Sequence, residues 1–170
     1  VFVFISIPIL DPELCLLLEP GTSKPKHRFT SMKLLADAGI PVGISLSPLI
    51  PGINDSMIPL LLQEAKKHGA TFSMMQLLRL PGTVATVFEH HLEQHLPMKK
   101  NKIMKALLRM RDGKLNNLDF EQRRVGVGPE WNMTQSVYNL WKKKLGFTCS
   151  PILDEPSPFS PLGGTQMKLF

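Results

Sequence analysis

The sequence predicts an α/β fold with parallel strands, and three observations support this prediction. Apolar runs rich in β-branched residues recur at residues 1–7, 40–47 and 70–78, which is typical of strands buried on both faces of a parallel sheet. Segments with helical spacing of apolar residues lie between these runs. Most joints are about two to six residues long, as in βα units with right-handed crossovers.

Capping residues and apolar spacing predict the helices of the first half. The predicted helices lie at residues 12–18, 26–38, 56–68 and 84–95. Asp11 and Pro12 suit the start of the first helix, and Asn54 and Asp55 can cap the third. Pro97 is expected to end the fourth helix.

The βα units end at residue 97, and the character of the chain then changes. Residues 98–149 form a basic helical extension, with helices expected at 99–110 and at 131–145, where Val137, Leu140, Trp141 and Leu145 would form the apolar stripe. Residues 150–170 are a tail rich in proline and glycine, with irregular structure expected. Strands this apolar are poorly suited to the exposed edge of a sheet. A complete eight-stranded βα barrel needs about 250 residues, more than this sequence contains. We therefore expect other sequence, or another chain, to complete the sheet.

The positive charge is concentrated in the extension. The 170-residue chain has a net charge of +6, whereas residues 99–147 hold twelve Lys or Arg against four Asp or Glu, so the remainder sums to −2. The candidates for phosphate contact are basic residues of the two extension helices and Arg111, which follows the first of them: Lys99, Lys100, Lys102, Lys105, Arg109 and Arg111, together with Lys142, Lys143 and Lys144. Such a surface would suit a nucleic acid. An ordinary solvated helix face is the alternative.

Cysteine and histidine usage predicts neither a disulfide framework nor a metal site. Cys15 and Cys149 are far apart and fit no CxxC pattern, which favours a reduced, cytoplasmic protein. His91 and His95 are one helical turn apart, but no convincing third ligand accompanies them. No apolar run reaches the roughly 20 residues that a membrane span needs.

The segment at residues 39–55 is the first candidate for function. Its apolar strand gives way to Pro48-Leu49-Ile50-Pro51-Gly52, which cannot continue a ladder, and then to a helix start. Ligands of parallel sheets bind at the loops that follow the strand carboxyl ends. This rim is therefore a predicted ligand contact, with a purely structural turn as the alternative.

The order and spacing of several short motifs resemble the second half of a radical SAM barrel, in the branch described as spore-photoproduct-lyase-like or DNA-repair-photolyase-like. The first motifs are Ser6-Ile7, Leu10-Asp11-Pro12-Glu13, Leu18-Glu19-Pro20, His27-Arg28, Ala38-Gly39-Ile40-Pro41-Val42 and the turn at residues 48–55. The later ones are Leu77-Leu78-Arg79-Leu80-Pro81 and residues 111–115, 120–129 and 166–170. The resemblance implies that residues 1–97 form part of a TIM-like barrel.

The resemblance also implies a cofactor half-site. Ser6 would contact the ribose of S-adenosylmethionine (SAM), and Arg28 its carboxylate, for which a guanidinium fork is well suited. The adenine would pack on the rim residues Ser45, Ser47, Pro48, Ile50 and Gly52. Arg79 would face the substrate. No role is carried onto the arginines at residues 123 and 124, where the basic position of the family pattern is shifted or lost. Ser6 and Arg28 also have plain structural interpretations, as a core strand serine and a surface helix residue.

The chain departs from the family in one decisive feature. Radical SAM enzymes hold a [4Fe-4S] cluster on a CxxxCxxC loop, and this sequence, with two cysteines, has no such loop. We therefore expect a fragment that lacks the cluster half, is inactive alone, and has an N-terminal barrel half as its partner. A non-catalytic gene fragment, a subunit of a split enzyme and a basic nucleic-acid-binding module, with DNA as a further partner, are the alternatives.

Overall fold

The computed structural model describes residues 2–116, 119 and 122–148. Three strands alternate with helices along this part of the chain. In order, the elements are strand β1 (Val3–Ser6), helices α1 (Pro12–Leu18) and α2 (Pro25–Asp37), strand β2 (Val42–Leu49), helix α3 (Ile58–Lys67), strand β3 (Phe72–Leu77) and helices α4 (Val84–His95), α5 (Pro97–Met110) and α6 (Gly128–Lys144). The tail predicted at residues 150–170 and Cys149 lie outside the described residues.

The three strands form one parallel sheet in the order β1-β2-β3. The prediction of a parallel α/β fold is confirmed. Phe4, Gly43 and Phe72 are register partners across the sheet, and Ser6 pairs in the same way with Ser45. The described residues form no closed barrel, so the barrel stays a prediction.

The predicted cap of α1 and the predicted bounds of α4 are confirmed, whereas α5 and α6 begin earlier than predicted. Asp11 caps α1 as expected, because its Oδ1 accepts from the N–H groups of Glu13 and Leu14 at 2.8 and 3.1 Å. Helix α4 ends at His95 before Pro97, as predicted, and Pro97 then lies in the first turn of α5; α6, with Pro129 in its first turn, begins three residues earlier than predicted. Proline suits this position because the first N–H groups of a helix need no intrahelical partner. No described helix has both the length and the apolar character that crossing a membrane requires.

One hydrophobic core joins the sheet, its helices and the extension. The predicted inner face of α3 is confirmed, since Ile58, Leu61, Leu62 and Ala65 are all at most 1% exposed. Helices α5 and α6 add to the same core.

The predicted apolar stripe of α6 was wrong at Leu140, whose side chain is 64% exposed. Tyr138 is buried there instead, and its hydroxyl lies 2.9 Å from the Oγ of Ser73 in β3. This buried pair ties the extension to the sheet.

Strand β2 approaches β3 closely because residue 43 is glycine. A Cβ on Gly43 would collide with the ring of Phe72 and lie 2.7 Å from the Phe72 carbonyl oxygen. Phe72 itself is fully buried. The side chain that glycine lacks is therefore replaced by the aromatic ring of the neighbouring strand.

Candidate functional site

The carboxyl ends of the three strands meet at one edge of the sheet because the strands are parallel. Ser6 ends β1, Ser47 lies near the end of β2, and Arg79 follows β3. Ser6 and Ser45 are register partners and so lie on the same face of the sheet, opposite the face that carries the buried Ile44. The edge therefore gathers the polar positions predicted from the strand ends.

Ser6, Ser47 and Arg28 form a connected cluster at this edge. The Ser6 hydroxyl donates to the carbonyl oxygen of Ser47 at 2.6 Å. Arg28, in the first turn of α2, donates from Nη1 to the Ser6 carbonyl oxygen at 2.9 Å. Three separate elements are thus joined by two hydrogen bonds.

Arg28 also has partners in the segment between α1 and α2. Its Nε donates to the Ser23 carbonyl oxygen at 2.8 Å, and its Nη2 lies 3.0 Å from Glu19 Oε2 in an ion pair. Both side chains of this pair are largely buried, at 12% exposure for Arg28 and 21% for Glu19. A guanidinium has five N–H bonds, so two of them, one on each Nη, have no partner among the described residues.

Asn54 holds the rim to the rest of the sheet edge. Its side chain was expected to cap a helix, and this expectation was wrong. Asn54 is 2% exposed, and its Oδ1 accepts from the N–H of Ile50 at 2.7 Å. Its Nδ2 donates to the carbonyl oxygens of Pro8 at 3.0 Å and Pro48 at 2.9 Å. Asn54 thereby joins the segment after β1 to the turn after β2.

The remaining rim residues have different roles. Ile50 is 4% exposed, and its carbonyl accepts turn hydrogen bonds from Ile53 and Asn54. Ile50 is therefore part of the core, and its N–H is taken by Asn54; its contact with a ligand stays a prediction. Pro48 is half-buried after a cis peptide bond. Gly52 is exposed, donates to Asp55 Oδ1 at 3.0 Å, and borders a cavity of about 330 Å³ against α5 and α6.

Arg79 lines a second cavity, of about 260 Å³, just beyond the end of β3. The other lining residues are Gln76, Leu77, Arg123 and Arg124. The structure thus brings the predicted substrate-facing arginine together with two arginines that the sequence analysis left without a role.

A fourth arginine, Arg111, lies beneath the same wall; the sequence analysis named it as a candidate for phosphate contact but did not place it at the end of β3. It is 6% exposed. Its Nε donates to the Leu78 carbonyl oxygen at 2.7 Å, and its Nη2 donates to those of Leu77 at 2.8 Å and Arg123 at 3.2 Å. Burial, and secondly the charge of Arg79, lower the pKa of Arg111.

The basic residues of α5 are divided between paired and unpaired groups. Lys100 lies 2.6 Å from Glu93 and 3.2 Å from Glu89, and hydrogen bonds to these two carboxylates raise its pKa. Arg109 pairs with Glu130 at 2.8 Å. Lys99, Lys102 and Lys105 are exposed and have no ion-pair partner among the described residues.

The described residues contain no group of three His, Cys, Asp or Glu side chains that could hold a metal ion. Cys15 is 3% exposed, and burial raises the pKa of its thiol, with the Arg28 charge partly opposing that shift. His91 instead uses its Nε2 in a contact of 2.8 Å with the Leu17 carbonyl oxygen. Its role here is the packing of α4 against α1.

Comparison with known proteins returns no match, whether the chain is set against protein-family models, curated proteins or solved structures. The functional proposals therefore depend on the geometry and chemistry of the residues described above and on the sequence resemblance.

Proposed function

We propose that this chain supplies the SAM-binding and substrate-facing half of a cytoplasmic radical SAM βα barrel of the photolyase-like type. The observation that carries the proposal is the convergence of Ser6, Arg28 and Ser47 from β1, α2 and β2 at one edge of a parallel sheet. These are three of the positions that the resemblance relates to SAM. The edge is also the general ligand edge of such sheets.

The chemistry of this cluster fits the polar groups of SAM. Arg28 retains two N–H bonds for a carboxylate, and its other three bonds hold the guanidinium in a fixed orientation. The Ser6 hydroxyl is exposed and can accept from a ribose hydroxyl while it donates to Ser47. The adenine would pack on Ser47, Pro48 and Gly52.

A [4Fe-4S] cluster does not fit the residues of this chain. A cubane needs several thiolates that converge on one point. The sequence has two cysteines, and the described one, Cys15, is buried beside the Arg28–Glu19 ion pair, where it supplies a single thiol. We therefore propose that an N-terminal half supplies the cluster and that this chain alone binds SAM without cleaving it. The two alternatives, a subunit of a split enzyme and a non-catalytic fragment, would have the same binding site. Only the subunit would have an N-terminal half as its partner.

Ligands that differ only in the amino-acid moiety give the sharpest test. S-adenosylhomocysteine carries the carboxylate that Arg28 would bind, whereas methylthioadenosine carries the adenine and ribose without it. We expect Arg28→Lys to weaken S-adenosylhomocysteine binding about tenfold, the size of one lost charge-assisted hydrogen bond. Methylthioadenosine affinity should not change. Isothermal titration calorimetry measures both affinities.

The matched control is Lys33→Gln, which removes a cation from the exposed part of the same helix, where Lys33 pairs with Asp37. This variant should bind both ligands like the parent chain. Equal losses for the two ligands in Arg28→Lys, or no binding of either ligand to the parent chain, would contradict the proposed SAM site.

A nucleic-acid surface on α5 is a second candidate, and it is favoured by the exposed and unpaired Lys99, Lys102 and Lys105. Phosphate contacts strengthen steeply as salt falls. The double variant Lys102→Gln and Lys105→Gln should therefore reduce the salt dependence of duplex DNA binding. A parent chain that leaves DNA mobility unchanged at about 50 mM salt would exclude this function.

A further inference from the structure

The described lining of the cavity at the end of β3 consists mainly of arginines. Among the described residues that line it, three are arginines, namely Arg79, Arg123 and Arg124, and Gln76 adds an amide. Arg123 and Arg124 make further interactions of their own. Arg79 is exposed and has no hydrogen-bond or ion-pair partner in the part of the chain that the structure describes.

The cavity wall contains a fourth positive charge. Arg111 is almost fully buried, and its three hydrogen bonds go to the carbonyl oxygens of Leu77, Leu78 and Arg123. Two of these residues, Leu77 and Arg123, line the cavity. No carboxylate among the described residues pairs with Arg111, whose guanidinium is held in the wall by backbone carbonyl oxygens.

Without a bound anion, the burial of the Arg111 charge and its repulsion by Arg79 are energetically unfavourable. Burying a charge is unfavourable unless it is paired, and the like charges of Arg79 and Arg111 repel each other. The repulsion between Arg79 and Arg111 contributes to the lowered pKa of Arg111. An oxyanion in the cavity would relieve both effects, and guanidinium groups bind phosphate oxygens through paired N–H bonds.

We propose that the cavity lined by Arg79, Arg123 and Arg124 is a binding site for a phosphate group, with Arg79 as its main contact and Arg111 as the buried support of its wall. This site goes beyond the proposed SAM function and does not depend on it. It lies at the same carboxyl edge as the Ser6 cluster but after a different strand. The phosphate belongs either to a small phosphorylated ligand or to a nucleic-acid backbone.

Arginine side-chain NMR of the full chain tests the site, with inorganic phosphate as the probe. We expect phosphate to shift the Nε–Hε signal of Arg79. Arg79→Gln should weaken phosphate binding about tenfold, and Arg79→Lys, which keeps the charge but loses the fork, should weaken it less. The matched control is Lys143→Gln, which removes one positive charge from the exposed end of α6. That end leads to Phe147 and Thr148, beside the start of β3, at the opposite edge of the sheet from the cavity.

Two further arms distinguish the source of the phosphate. Adenosine monophosphate that competes with inorganic phosphate at Arg79 would indicate a small ligand. A short DNA duplex that shifts Arg79 at concentrations where the mononucleotide does not would indicate a nucleic-acid backbone. An adventitious ion only, shown by equal weakening in Arg79→Gln and Lys143→Gln, would overturn the site, as would an Arg79 signal that phosphate leaves unchanged. Arg79→Gln should retain S-adenosylhomocysteine affinity, so failure of this site and failure of the SAM site are separate results.

Discussion

Replacement of Asn54 by alanine should destabilise the protein more than any other polar change at the sheet edge. The side chain makes three hydrogen bonds, to the Ile50 N–H and to the carbonyl oxygens of Pro8 and Pro48. Two of the three are fully buried. Asn54→Ala removes all three hydrogen bonds and leaves the Ile50 N–H and the Pro8 and Pro48 carbonyl oxygens without this partner.

The size of the effect follows from these contacts. Each buried group left without a partner costs about 1–3 kcal/mol, and the partly buried bond to Pro48 contributes about 0.5–1.5 kcal/mol. We therefore expect Asn54→Ala to lower the free energy of unfolding by about 4 kcal/mol. With a urea m-value of about 2 kcal/mol/M, the unfolding midpoint should fall by about 2 M.

Urea unfolding followed by circular dichroism measures this loss. The matched control is Asp55→Ala, which removes one exposed hydrogen bond, from the Gly52 N–H, in the same turn. This control should lose about 1 kcal/mol or less. A loss below about 1 kcal/mol for Asn54→Ala, or equal losses in both variants, would refute the assignment of Asn54 as the link between the two strand ends.

Three further predictions concern the sheet, the extension and the buried thiol. Gly43→Ala should destabilise the fold by about 3 kcal/mol or more in thermal unfolding, because the new Cβ collides with Phe72; a change below about 1 kcal/mol would contradict this packing. Ser73→Ala and Tyr138→Phe each break the same buried hydrogen bond, so in a double-mutant cycle the combined loss should be smaller than the sum of the single losses. Strict additivity would show that the two hydroxyl groups do not interact. Burial raises the pKa of the Cys15 thiol above the usual 9.0, so its contribution to stability is complete below about pH 8 and is lost as pH rises through the folded-state pKa. The parent chain should therefore lose more stability than Cys15→Ala between about pH 8 and pH 10.5 in urea titrations, and parallel pH profiles would exclude this linkage.

The elements of the sheet could be predicted from the sequence because their signals are local. Apolar runs, capping residues and spacing locate the strands, and they placed the inner face of α3 correctly. The first turns of α5 and α6, which contain Pro97 and Pro129, were harder to predict, since the fixed φ of proline suits both the end of one helix and the first turn of the next. The helical spacing of α6 did not show that Tyr138 rather than Leu140 is buried. Tyr138 is buried where its hydroxyl contacts Ser73.

The candidate site was predictable in part for a similar reason. Ser47 was expected at the ligand edge because ligands of parallel sheets bind after the strand carboxyl ends, whereas Ser6 was expected there from the family resemblance. Asn54 and Arg111 were not, because their partners are backbone carbonyls as far as 46 and 34 residues away. Every residue has a backbone carbonyl, so the type of the accepting residue does not indicate that it makes such a contact. The cavity at Arg79 was missed because it forms only when Arg123 and Arg124 are brought beside the end of β3.

The central claim is that the sheet edge formed by Ser6, Arg28 and Ser47 binds SAM. Backbone amide chemical-shift mapping of the isotope-labelled chain with S-adenosylhomocysteine tests it most directly. The account predicts shifts at the amides of residues 6, 7, 28, 47, 49, 50 and 52, with none at the far end of α6. Shifts confined to the cavity between Gly52, α5 and α6, or no shifts at saturating ligand, would contradict it.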